Sequence, residues 1–185
     1  KAQVNSMKLD ELARFCDDYL AVDSFSDYCP NGLQVEGRAS VKRLISGVSA
    51  NLDLIEAAIE QEADAILVHH GYFWKGEAQP LVGYKAQRIR RLMQHDISLL
   101  AYHLPLDAHL TVGNNAQPGM QMGWVVTGQD DLLWLGELRQ AFESQAAELV
   151  RAKTPCEDPR WLALRQQAVR CDDSGSVVHV GSVAE

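Results

Sequence analysis

No C-x-x-C pair occurs among the four cysteines, Cys16, Cys29, Cys156 and Cys171, which argues against a zinc ribbon or a redox dithiol. No apolar run approaches the ~18 residues needed to span a bilayer, and nothing resembles a signal peptide. Basic charge is scarce: 17 Lys and Arg stand against 25 Asp and Glu, for a net charge of −8. A nucleic-acid backbone binder needs a basic footprint, so nucleic acid is not an expected partner, and no membrane is either. Internal repeats and low-complexity tracts are missing. So is any phosphate-binding fingerprint, since Gly47 and Gly113 stand outside one. The default expectation is a soluble, cytoplasmic, reduced protein.

What remains is ordinary globular material. The chain has 185 residues, 46% of them hydrophobic, enough for one large domain or one and a part. Folding at this length buries about 70% of the unfolded chain's surface. Lys1 to Ser6 carries no initiator methionine, whereas Met7 opens the first amphipathic pattern; Met7 is therefore the expected native start.

Leu9, Leu12, Phe15, Cys16, Tyr19 and Leu20 recur at helical spacing, with Asp10 and Glu11 in the first turn, and predict a helix ending near Val22. Asp23 to Val35 is rich in turn formers, and Pro30-Asn31-Gly32 is a strong turn signal. This segment reads as a plain connection or as a loop packed over a site. Val41 to Val48, Ala65 to His70 and Ile97 to Tyr102 are expected strands. Between them lie a helix capped by Asn51 and a basic helix over Tyr84 to Gln94, with Ile89, Leu92 and Met93 inward.

Strand and helix alternate with short connections, so the fold class is α/β: a mixed or mostly parallel sheet flanked by helices, built from βαβ units. Further on, a helix over Asn114 to Gly123, a strand over Leu132 to Leu138 and a helix from Phe142 to Lys153 are expected. Another helix over Asp158 to Val169 and a strand over Val177 to Val180 complete the pattern. The expected organisation is a metal-binding α/β domain over 7–127 and a partial or divergent second segment over 128–185.

The chemistry gathers where two apolar runs end. Asp64-Ala-Ile-Leu-Val-His-His-Gly71 closes one strand with His69 and His70, and Tyr102-His-Leu-Pro-Leu-Asp-Ala-His109 closes another. Imidazoles at the end of a buried strand are costly to desolvate unless something binds them. In a parallel sheet, consecutive strands deliver such ends to one edge, where ligands bind, so His69, His70, His103 and Asp107 are expected to converge. Adjacent strand residues point to opposite faces, so the two histidines are expected to serve two different ions, with Asp107 joining one of them. Pro105 is expected to end the strand and leave Asp107 on a loop.

Imidazole and carboxylate suit divalent metal, and ligand type does not distinguish Fe, Zn, Mn or Ni. His103 is the candidate catalytic residue, assisting proton transfer. For a lone buried histidine the commoner role is structural; His109 is read as structural or as a partner behind a metal ligand, and His95 and His179 as surface or structural. Tyr72, Phe73 and Trp74 read as loop packing that walls the pocket, and Lys75 and Glu77 as solvated. Asn114 and Asn115 read as caps before substrate contacts.

Four motifs resemble the YbgI-like or NIF-three-like family, whose members are called GTP cyclohydrolase 1 type 2 homologues. They are Ser26-Asp-Tyr-Cys-Pro-Asn-Gly-Leu-Gln-Val-Glu-Gly37, Val68-His-His-Gly-Tyr-Phe-Trp-Lys-Gly-Glu77, His103-Leu-Pro-Leu-Asp-Ala-His109 and Gly113-Asn-Asn-Ala-Gln117. The resemblance implies a dinuclear metal site, a toroidal homohexamer and a cytoplasmic location. It implies that His69 binds one ion, that His70 and Asp107 bind the other, and that His103 lies in the same cavity. It also implies a late histidine and glutamate four positions apart on a helix; no His-x-x-x-Glu follows Gln117, and His179 and Glu185 are six apart. The chain is therefore expected to be a truncated or divergent member, or to be missing residues. Three function classes follow: a metal-dependent hydrolase acting on a nucleotide-like substrate, a non-catalytic metal-binding or metal-delivery protein, and a scaffold with structural histidines.

Overall fold

The computed structural model describes residues 6–121 and 124–137. Strand β1 (Met7–Lys8) runs into helix α1 (Leu9–Tyr19), and a short 3-10 turn at Val22–Ser24 follows. Then come β2 (Gly32–Val35), β3 (Ser40–Val41), β4 (Leu44–Ser49), α2 (Leu52–Glu60), β5 (Ala65–His70), α3 (Gly83–Gln94) and β6 (Ser98–Ala101). The described chain ends with α4 (Leu104–Ala108), α5 (Ala116–Gln121), β7 (Val125–Asp130) and β8 (Leu133–Glu137). It divides into two compact units, Lys1–Leu106 and Asp107–Glu185.

In the first unit a four-stranded sheet has the order β2-β6-β5-β4. Strands β4, β5 and β6 are parallel, as the strand–helix alternation requires, and β2 joins β6 antiparallel. The sheet is thus mixed and flanked by helices. Asn51 caps α2 as expected, its side chain accepting from the Leu54 N–H at 2.9 Å. Strand β2 departs from expectation, because its four residues lie inside the turn-rich stretch Asp23 to Val35. Gly32 there takes φ +99°, a conformation only glycine adopts cheaply, and pairs with Ala101 at the start of the ladder.

One face of the sheet packs Ile66, Val68 and Leu99 against Ile55 and Ala58 of α2 and Ile89 and Leu92 of α3. The other packs Ala65, Leu100 and Tyr102 against Leu9, Leu12 and Cys16 of α1. Burial on both faces explains why β5 and β6 read as unbroken apolar runs. Fully burying a residue such as Ile66 or Leu99 stabilises by about 1.5–3 kcal/mol. Met93 was expected inward but is 62% exposed; the inner face of α3 is Lys85, Ile89 and Leu92, spaced four and three apart.

In the second unit β7 and β8 form an antiparallel hairpin. Helix α5 starts at Ala116, two residues after the expected Asn114, and a Cβ on its Gly119 would stand 3.0 Å from the Trp124 ring, so a small residue is favoured there. The helices expected around Phe142 and Asp158, the strand at Val177 to Val180, His179, Cys156 and Cys171 lie outside the described residues. Among the described residues no helix is long and apolar enough to cross a membrane.

Candidate metal centre

Parallel strands β5 and β6 bring His69, His70 and His103 to the same edge of the first unit, as expected from their places at strand ends. Ring centroids lie 4.3 Å apart for His69–His70, 5.0 Å for His69–His103 and 5.8 Å for His70–His103. One potential ligand atom from each lies within 4.8 Å of the other two. Strand alternation led to the expectation that His69 and His70 serve two different ions; their rings turn to different partners, the Tyr102 carbonyl and the Ser49 hydroxyl, while lying close together. Both sit at the last two positions of β5, where the ladder ends, with ring centroids 4.3 Å apart. Gly71 follows immediately, and a Cβ there would meet the Gln34 side chain and stand 2.6 Å from the Ala101 Cβ. Only glycine lets the chain leave the strand so close to its neighbours.

Each imidazole is held through Nδ1 by an oxygen. His69 Nδ1 lies 3.0 Å from the Tyr102 carbonyl, His70 Nδ1 lies 3.1 Å from Ser49 Oγ, and His103 Nδ1 lies 2.8 Å from Asp27 Oδ1. A carbonyl or carboxylate oxygen only accepts, so His69 and His103 donate through Nδ1. Imidazoles held this way match the usual environment of metal-ligating histidine, in which the second ring nitrogen is tied to an oxygen. The donor set fits a divalent transition metal. Trp74 stands edge-on to the His103 ring, centroids 5.0 Å apart, and its indole N–H donates to the Gly71 carbonyl.

Asp27 was not singled out from the sequence. Its side chain is only 3% exposed. Oδ1 accepts from His103 Nδ1 and the Tyr28 N–H, and Oδ2 accepts from Asn31 Nδ2 and the Leu104 N–H. Burial pushes its carboxyl up, but the hydrogen bonds from His103, Asn31, Leu104 and Tyr28 outweigh burial and hold it below the usual carboxylate range. Asn31 read as a turn former; its side-chain oxygen also accepts the His103 N–H at 2.7 Å. Cys29 completes a second group with Asp27 and His103, ligand atoms again within 4.8 Å. Burial, and then the charge of Asp27, push the Cys29 thiol up to about 12. With the carboxylate saturated by four donors and the thiol protonated, Asp27 acts as a hydrogen-bonded clamp on His103, with Cys29 beside it. The one sequence signal for it is that Asp27 and Asn31 both fall within the Ser26–Gly37 motif.

Asp107 belongs to the second unit. It is fully buried and sits on helix α4, not on a loop: Pro105 falls in the first turn, where a missing N–H costs nothing. Its Oδ1 accepts from Asn114 Nδ2 at 3.0 Å, so Asn114 ties to Asp107, while Asn115 donates to the Leu132 carbonyl. His109 Nδ1 accepts from the Thr111 and Val112 N–H groups within the following turn, and His95 contacts Arg91. Glu77 was expected to be solvated, yet it pairs with the buried Lys85 at 3.2 Å and accepts the Phe73 and Trp74 N–H groups. That pair fixes the loop carrying Trp74.

A family model described as Duf34/NIF3 (NGG1p interacting factor 3) matches residues 7–171. A "GTP cyclohydrolase 1 type 2 homolog" of Allochromatium vinosum is 53% identical over 134 residues, covering 70% of this chain and 53% of the relative. The protein of that name from Pseudomonas aeruginosa is 54% identical over 123 residues, covering 66% of this chain and 49% of the relative. The chain spans about half the length of the curated relatives it matches. Among solved structures, "protein ybgI, unknown function" superposes with TM-score 0.71 at 45% identity, covering 72% of this chain and 55% of that one. TTHA1606 from Thermus thermophilus gives TM-score 0.66 at 42% identity, covering 70% and 54%.

Proposed function

This chain belongs to the Duf34/NIF3 family, and on that premise we propose that it binds divalent metal at a dinuclear site and acts as a metal-dependent hydrolase on a nucleotide-like substrate. The observation that carries the reading is the convergence of three Nδ1-tethered imidazoles at one sheet edge. His69 would hold one ion and His70 the other. A bound divalent ion supplies Lewis acidity that polarises a substrate oxygen and makes water a nucleophile near neutral pH.

The chain's own residues prepare for that chemistry. The carbonyl of Tyr102 and the hydroxyl of Ser49 fix the two ligand rings, so no rotamer freedom is lost on binding. His103, with its lone pair on Nε2, accepts a proton from the attacking water and returns it to the leaving group. Trp74 covers one side of the His103 ring and limits water there. The nucleotide-like substrate is drawn from the relatives' name. A cytoplasmic homo-oligomer, a hexamer by family likeness, is part of the same proposal.

The test is hydrolysis across a panel of nucleotides by zinc-, manganese-, iron- and nickel-loaded protein, wild type against His103→Gln. Turnover that falls by about 100-fold or more in H103Q, with metal retained, supports the reading. Metal uptake without turnover of any panel member overturns the hydrolase and leaves a metal-binding protein.

A further inference from the structure

We propose that Asp27 is the positioning residue of this site, fixing His103 as the tautomer whose Nε2 lone pair is presented beside His69 and His70. The inference deepens the metal-centre reading and rests on it for its functional meaning.

The three imidazoles are tethered alike but by different groups: a carbonyl for His69, a hydroxyl for His70 and a carboxylate for His103. A hydroxyl can donate or accept, so it does not dictate a tautomer. An ionised carboxylate can only accept, and it also raises the basicity of the opposite ring nitrogen. His103 is thus the ring whose protonation pattern is set by a full negative charge.

The rest of the clamp makes that setting rigid. Asp27 Oδ2 accepts the Leu104 N–H at 2.8 Å, which opens α4, and Asn31 Oδ1 accepts the His103 N–H at 2.7 Å. Ring, main chain and the start of the next helix are therefore tied to one turn of the loop between α1 and β2. The Lys75 N–H donates to the Tyr28 carbonyl at 2.6 Å and ties the Trp74 loop to the same turn. Asn31 in turn donates to Asp27 at 2.9 Å, so the carboxylate is itself oriented.

The two contributions separate by substitution. Asn31→Ala removes the main-chain tie and one of the four donors on Asp27, and leaves the carboxylate on the ring. Asp27→Ala removes the acceptor, and an unconstrained imidazole then favours the proton on Nε2, which blocks base catalysis at that nitrogen and turns an N–H toward the ions that His69 and His70 would hold.

The experiment is a long-range proton–nitrogen correlation spectrum of the histidine rings in the full chain, stripped of metal, at about pH 8, above the ordinary imidazole range. His103→Gln identifies the His103 signals. Wild type and N31A are expected to show protonated Nδ1 and a lone pair on Nε2, and D27A to show the reverse. Zinc affinity is expected to fall by about 10–100-fold in D27A. A wild-type His103 with its proton on Nε2 overturns the inference outright, and so does a D27A that keeps both the wild-type tautomer and zinc affinity. Should D27A fail to fold, the wild-type spectrum still decides, and the isosteric D27N replaces it for the zinc titration. The tautomer is read without metal, so the expected tautomer in a chain that takes up no zinc upholds Asp27's role and removes the metal reading alone.

Discussion

His69 Nδ1 lies 3.0 Å from the main-chain oxygen of Tyr102, joining the ends of two neighbouring parallel strands through a side chain that is itself a candidate ligand. The Tyr102 main chain is in turn held by its own side chain, which is fully buried and donates from its hydroxyl to Asp17 at 2.8 Å. Burial, and then the hydrogen bond to Asp17, push that hydroxyl's pKa far above the ordinary tyrosine range, so it stays a donor at every accessible pH. Tyr102→Phe is expected to destabilise by about 1–3 kcal/mol, because it leaves the Asp17 carboxylate without this donor. Urea unfolding measures it. Zinc affinity should change far less than in His69→Ala, since the carbonyl that holds His69 is unchanged.

Gly71 is the joint on which both ligand rings of β5 depend. A Cβ there would meet the Gln34 side chain and crowd Ala101, and Gln34 Oε1 is also the acceptor for the Tyr72 N–H. Gly71→Ala is therefore expected to cost about 1–3 kcal/mol through overpacking and to weaken metal binding in the protein that still folds. Thermal unfolding followed by a zinc titration checks both.

Acid should unfold the first unit partly through Asp64. Burial raises its carboxyl, but the Lys42 and Arg43 N–H groups and Arg38, paired at 2.8 Å, more than offset this and hold it below the ordinary value. A carboxyl depressed by folding contributes stability that is fully present above its unfolded pKa of about 3.9 and is lost as pH falls through the lower folded value. Asp64→Asn should cost about 1.5–3 kcal/mol at neutral pH, and the gap from wild type should close below about pH 4. Urea midpoints against pH read it; a constant gap down to about pH 2 would sink the assignment.

The α/β class was legible because β4, β5 and β6 are local apolar runs separated by periodic helices, and Asn51 announced α2 through its own side chain. The convergence of His69, His70 and His103 followed from parallel connectivity, whereas Asp107, expected with them, is not among the clustered ligand atoms of the described residues. Strand β2 was hidden because its four residues owe their state to the β6 edge, not to any pattern of their own. Helix α4 was hidden because Pro105 reads equally as a strand terminator and as a first-turn residue. Asp27 was the deepest omission. Its importance lies in a partner, His103, that is 76 positions away, and nothing local distinguishes it from Asp23, the other acid of that loop.

The central claim is that His69, His70 and His103 form a metal centre, and metal content tests it most directly. The full chain, purified without chelator and reconstituted with zinc, should carry about two ions per molecule by mass spectrometry if the dinuclear reading holds. The triple variant H69A/H70A/H103A, confirmed as folded by circular dichroism, should carry none. A folded triple variant with the wild-type zinc content, or a wild type that takes up no divalent metal after reconstitution, would contradict the account.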